Sequence, residues 1–171
     1  MASSTPSQTV GPYLQIGLSW LDTDAIAPDG VAGERVRIRG RMLDADAKPI
    51  GDGMLEVWQA DAAGRFDNPT FRGFGRVPTR SDGGYEFTTI RPGRIGSQAS
   101  HLLVAVFARG MLKHAVTRMY FPDDAAHARD PVLSLVEASR QPTLVARPTG
   151  DGSFEWNVVM QGKHETVFFD L

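Results

Sequence analysis

The sequence predicts an all-β chain, a single-domain β-sandwich with short helical turns in its connecting loops. Three observations predict it. The apolar runs are all strand-sized, and 18 glycines and 11 prolines punctuate 171 residues. Several runs also alternate apolar with polar at a period of two. A chain of this length fits one domain and buries roughly 70% of its unfolded surface on folding. We take residues 1–12 as an extended N-terminal arm and residues 13–171 as the sandwich.

The elements follow in order. Tyr13 to Trp20 reads as a first strand, and residues 22–34, rich in Asp, Pro and Gly, as a loop. Val36, Ile38 and Gly40 alternate with Arg35, Arg37, Arg39 and Arg41, giving one inward and one basic face. After a turn region at 44–53, Leu55 and Val57 share a face in the next strand. Residues 61–80 show no clear period, and a loop of that length is usually functional or an interface. Tyr85, Phe87 and Thr89 alternate with Glu86 and Thr88. His101 to Ala108 is nearly all apolar, as a strand buried on both faces would be, and Leu112 to Phe121 pairs back on it as a hairpin. Helical turns are expected at 123–129, with Asp123 or Asp124 as cap, and at 131–137. Strands at 143–146, 153–160 and 165–169 complete the sheets.

Composition narrows the function. With no cysteine, disulfides, thiolate metal sites and a cysteine nucleophile are excluded. The formal net charge of −2 comes with both signs spread along the chain, so no basic stripe invites nucleic acid. The N-terminus lacks the pattern of a signal peptide, and no apolar run approaches the ~20 residues of a membrane helix. The expectation is a soluble cytoplasmic protein.

No complete catalytic set stands in the chain. The histidines His101, His114, His127 and His164 form no His-x-His or His-x-x-x-His pair. His101 reads as a core-edge ring bonded to backbone, and His127 and His164 as solvated. No Gly-x-Ser-x-Gly elbow occurs, and Gly73-Phe74-Gly75 lacks a strand–helix context. The Asp22/Asp24 and Asp123-Asp124 pairs read as solvated loop residues. What remains is a set of arginines near strand ends: Arg65, Arg72, Arg76, Arg80, Arg91, Arg94 and Arg109. Guanidinium forks suit carboxylates and interfaces, so these are ion-pair partners or, for one or two, contacts to an anionic ligand.

Several stretches taken together carry a resemblance. They are Ser7-Gln-Thr-Val-Gly-Pro-Tyr13, Leu55-Glu-Val-Trp-Gln-Ala-Asp61 running on to Phe66, Asp82-Gly-Gly-Tyr-Glu-Phe87, Ile90-Arg-Pro-Gly93, Phe107-Ala-Arg-Gly110 and Arg118-Met-Tyr-Phe121. From about Thr5 onward the chain resembles the intradiol ring-cleavage dioxygenases, and most closely their α-type subunits. The first two stretches are the specific ones; Asp-Gly-x-Tyr-x-Phe alone also occurs in transthyretin-like sandwiches. Residues 20–35 and 92–100 are shorter than the resemblance leads one to expect.

In catalytic members of that family two tyrosines and two histidines hold a ferric ion. Carried over, those positions hold Phe66, Ile95, His101 and Leu103. The resemblance therefore implies that this chain holds no metal and is not active alone. Fe(III) would be held by a homologous β-type partner, with the catecholic aromatic substrate bound where the two chains meet. It further implies that Thr9, Gly11, Pro12, Tyr13 and Arg109 line this shared pocket. A non-enzymatic transthyretin-like binding or scaffolding sandwich stands as the second reading.

Overall fold

Every second residue of the strand Arg35–Leu43 (β1) points inward: Val36, Ile38 and Met42 are buried while Arg35, Arg37, Arg39 and Arg41 are exposed. The computed structural model describes Gln8, Thr9, Gly11 and residues 16–170. The further strands are β2 (Met54–Trp58), β3 (Phe74–Pro78), β4 (Gly84–Ile90), β5 (His101–Phe107), β6 (Ala115–Tyr120), β7 (Arg147–Gly150), β8 (Ser153–Glu155) and β9 (Val158–Val159). The described helical pieces are all short 3-10 turns apart from a single residue at 16.

Two sheets pack face to face, as the alternating patterns require. One has the order β4-β1-β8-β7, with β9 also pairing along β1; the other runs β3-β2-β5-β6. Ile38, Tyr85, Phe87 and Phe154 from the first meet Leu55, Val57, Leu102, Val104 and Met119 from the second in one core. A smaller cluster of Ala99, Tyr120, Leu133, Val136 and Leu144 forms where the 3-10 turns of residues 125–144 fold over the outer side of β6.

The β1–β4 ladder is tied to β8 at one close approach. Tyr85 donates its hydroxyl to the Trp156 carbonyl, which crosses β1 at Gly40. A Cβ at residue 40 would sit 1.7 Å from that oxygen, so only glycine fits. Burial pushes the Tyr85 hydroxyl pKa up, with the Glu155 charge adding to it, so the group stays a donor.

Several sequence expectations are corrected. Ser19–Leu21 is a 3-10 turn and residues 16–18 are not strand, while residues 13–15 lie outside the described residues. The 61–80 stretch contains β3, whose alternation was masked by Arg76, a buried charge, and by Gly75, packed under Ile26. Residues 141–144 are a 3-10 turn, Val145 makes a single bridge to Tyr120, and the ladder of the last strands begins at Arg147. The expected 153–160 strand breaks in two at Trp156–Asn157, the crossing point over Gly40. Residues 165–169 contribute one bridge, Phe169 to Val116. The β5–β6 pairing starts at Ala115, leaving a longer turn than a tight hairpin, and the outward residues of β5 are half-buried except His101, which is buried. Asp124 caps the 3-10 turn Ala125–Arg129, accepting from Ala126 N–H at 2.9 Å.

Candidate functional site

His101 opens β5 with its side chain on the outer face of the β3-β2-β5-β6 sheet, and Leu103 follows on the same face. The register builds rows across this face. One runs Phe74, Trp58, Leu103, Arg118, and the next has His101 beside Tyr120. His101 is 7% exposed, its Nδ1 lies 2.7 Å from the Ala99 carbonyl, and its ring lies 5.5 Å from that of Tyr120. A carbonyl only accepts, so Nδ1 carries the proton, as a core-edge histidine bonded to backbone would. Burial pushes the imidazole pKa down, and the Arg118 charge pushes the same way against the Ala99 carbonyl and Asp130.

Arg118 dominates this corner. Its Nη1 donates to Gln98 Oε1 at 2.8 Å and to the Tyr120 hydroxyl at 3.3 Å. Tyr120 donates in turn to Asp130 Oδ1 at 3.3 Å. Desolvation raises the Tyr120 pKa to about 12. Asp130 is fully buried and accepts from Ala99, Val132 and Leu133 N–H as well.

The two remaining carried-over positions lie on adjoining loops. Asp61 Oδ1 accepts from the Ala63 and Arg65 N–H groups, each at 2.9 Å, and its Oδ2 from Asn68 at 3.0 Å. Burial works against the charged form of Asp61, but these donors outweigh it and hold the pKa below the usual range. The loop so formed presents Phe66 outward, 64% exposed. The Gly93 N–H donates to the Asp61 carbonyl at 2.8 Å, which sets the loop against the segment carrying Ile95. Ile95 bridges to Gln98, the acceptor of Arg118.

This donor set does not fit Fe(III). Phe66, Ile95 and Leu103 offer no lone pair, and His101 has only Nε2 to give, beside a guanidinium. Sequence reasoning missed Arg118, although it stands in the quoted Arg118-Met-Tyr-Phe121 stretch. Its place opposite Leu103 is a matter of strand register.

At the far end of β5 the pocket candidates gather. The Gly110 N–H donates to Thr9 Oγ1 at 3.1 Å, and Arg109 Nε lies 2.6 Å from Asp52 Oδ2. A cavity of about 340 Å³ adjoins them, lined by Gln8, Phe107, Ala108, Met111, Leu112, Lys113, His114, Val116, Phe169 and Asp170. The structure thus brings Thr9 and Arg109 to one turn. Gly11 is exposed, with none of the described residues within 4 Å of where its Cβ would stand. Pro12 and Tyr13 lie outside the described residues.

Other polar expectations change. Asp124 is buried rather than solvated, accepting from Arg94 Nε at 2.8 Å and from Ser100 N–H at 2.7 Å. Burial raises its pKa, but the Arg94, Ser100 and Ala126 donors and the Arg94 charge outweigh that and bring it to about 2. His127 is half-buried, edge-on to Tyr120 at 5.7 Å, not free in solvent. His164 is exposed as expected. Most of the arginine set are ion-pair partners: Arg65 with Asp61, Arg76 with Glu56, Arg91 with Glu34, Arg94 with Asp124 and Arg109 with Asp52.

Residues 11–162 match the family described as Dioxygenase. The chain is 44% identical to the protocatechuate 3,4-dioxygenase alpha chain of Burkholderia cepacia, over 98% of this chain and 97% of that one. It is 36% identical to the alpha chain of Pseudomonas putida, over 98% and 96%. With the Burkholderia cepacia beta chain it shares 31% identity over 85% of this chain and 72% of that one. Among solved structures, the dioxygenase domain of a carbohydrate-binding fusion protein from Streptomyces sp. SirexAA-E shares the fold, with a TM-score of 0.70 at 24% identity, covering 82% of this chain and 88% of that one.

Proposed function

The chain belongs to the intradiol ring-cleavage dioxygenases, and on that footing we propose that it is the α-type subunit of a protocatechuate 3,4-dioxygenase. The assembled enzyme opens protocatechuate with O2 between its two hydroxylated carbons, giving 3-carboxy-cis,cis-muconate. Fe(III), the metal of this family, sits on a homologous β-type partner, and this chain completes the pocket. The observation that carries the reading is the pairing of two features. The four positions carried over as metal ligands hold Phe66, Ile95, His101 and Leu103, while the Thr9 hydroxyl accepts from Gly110 N–H beside Arg109.

In this reading the Arg109 guanidinium offsets the carboxylate of protocatechuate, as a planar fork suits a benzoate. The arm of residues 1–12 brings Thr9, Gly11 and Pro12, with Tyr13, to the wall of the pocket. A glycine at 11, without a side chain, suits close approach of the partner's backbone. The enzyme works in the cytoplasm; no helix among the described residues is long and apolar enough to cross a membrane.

The test is expression with and without the partner. The lone chain is expected to be colourless and free of stoichiometric iron. Co-expression with its β-type chain should give a coloured iron protein that cleaves protocatechuate. Stoichiometric iron and turnover in the lone chain would overturn the proposal.

A further inference from the structure

Asp52 and Arg109 meet where β2 and β5 run out of ladder. The last register pair is Met54 with Phe107, so two steps further along the same antiparallel course Asp52 comes opposite Arg109. Arg109 Nε is 2.6 Å from Asp52 Oδ2, and the Arg109 side chain is 81% exposed. The two groups form an ion pair whose closest approach is at Nε. Nη1 and Nη2 donate no hydrogen bond to the described residues.

Asp52 is itself well anchored. The neighbouring Gly53 gives its N–H to the hydroxyl of buried Thr79 at 2.8 Å, and its carbonyl accepts from the Thr79 N–H at 2.9 Å. On the other side, a Cβ at Gly51 would lie 2.9 Å from the backbone of Ser81. The acid therefore belongs to a fixed turn, whereas the arginine it holds is a long chain with many rotamers.

The geometry points to Asp52 as the positioning residue for Arg109. Its charge pairs with the guanidinium from the inner-nitrogen side, which leaves the two outer nitrogens as a preset fork for the carboxylate of an aromatic acid. The inference rests on the reading of Arg109 as part of the shared pocket. Two opposite effects of Asp52 compete. Its negative charge weakens the pull of Arg109 on an anionic ligand, while its bond removes rotamers that would otherwise be lost on binding. At an exposed site charges are screened by water, so orientation wins and removing the acid weakens binding.

The experiment uses the assembled two-chain enzyme with Asp52→Asn, Asp52→Glu, Arg109→Ala and the Asp52→Asn/Arg109→Ala double variant. Arg109→Ala is expected to raise KM for protocatechuate. Asp52→Asn should raise it roughly two- to fivefold with kcat little changed, the scale of an exposed ion pair. Asp52→Glu should recover part of the loss, and Asp52→Asn should add nothing to Arg109→Ala. Catechol, which lacks the carboxylate, is the control competitor, and its inhibition constant should not move. An unchanged or lowered KM for Asp52→Asn, an additive double variant, or an equal effect on catechol overturns the inference while leaving the pocket reading intact. An Arg109→Ala enzyme with wild-type kinetics removes Arg109 from the pocket, and the inference with it.

Discussion

The Gly110 N–H donates to Thr9 Oγ1 across 101 residues of chain, so the N-terminal arm is fastened to the β5–β6 turn by a side chain at one end and a backbone at the other. Gly110 has φ +88°, a left-handed conformation that side chains resist. Gly110→Ala should destabilise the turn by about 1 kcal/mol. Thr9→Val, which keeps the shape and removes the hydroxyl that accepts this bond, should leave the melting temperature of the chain almost unchanged but raise KM in the assembled enzyme. Thermal denaturation with steady-state kinetics separates the two effects. Unaltered kinetics in Thr9→Val would sink the idea that this fastening serves the pocket.

Asp124 predicts a pH dependence. Its pKa falls from 3.8 to about 2, so the native state favours the charged form more than the unfolded chain does. Its contribution is complete above the unfolded value and is lost as pH falls from about 4 to about 2. Arg94 is half exposed and water screens its charge, so the buried carboxylate contributes about 1–2 kcal/mol. Asp124→Asn should lose that stability at pH 7 and show a flatter decline in acid, as measured by urea unfolding at several pH values.

Gly40 and Tyr85 make a steric prediction. Gly40→Ala drives a methyl onto the Trp156 carbonyl and should cost more than about 3 kcal/mol, or prevent folding. Tyr85→Phe keeps the shape, leaves the Trp156 oxygen without that donor, and should cost about 1–3 kcal/mol. Denaturant midpoints rank the two. A Gly40→Ala protein of native stability would contradict the close approach.

Arg118 predicts a metal experiment. Leu103→His places a second imidazole on the outer face two residues after His101, but with Arg118 directly opposite. Adding Arg118→Gln removes that charge and should tighten Co(II) binding about five- to tenfold relative to Leu103→His alone. Absorbance titration reads the difference. Equal affinities would mean that Arg118 does not oppose a cation there.

Alternation made much of the fold legible. Arg35–Leu43 and Tyr85–Ile90 each show one apolar face, and that face is the core in both. β3 stayed hidden because a buried Arg76 paired with Glu56 breaks the apolar period that identifies a strand. The 141–144 turn carries strand-like residues, but Pro142 and its packing against β6 bend it into a 3-10 turn. At the site, Phe66 and Leu103 were readable from motif positions alone. Arg118, Asp130 and Asp52 were not, because each acts through a neighbour distant in sequence, and single-sequence spacing holds no register.

The Asp61 loop separates form from content. Its turns close on the carboxylate of Asp61 and on the backbone of Gly93, while the residue at its tip, Phe66, projects outward. None of the bonds that close the loop uses the side chain at 66. The side chain at that tip can therefore change without cost to the fold around it, which decouples what the position does from what the loop needs in order to form.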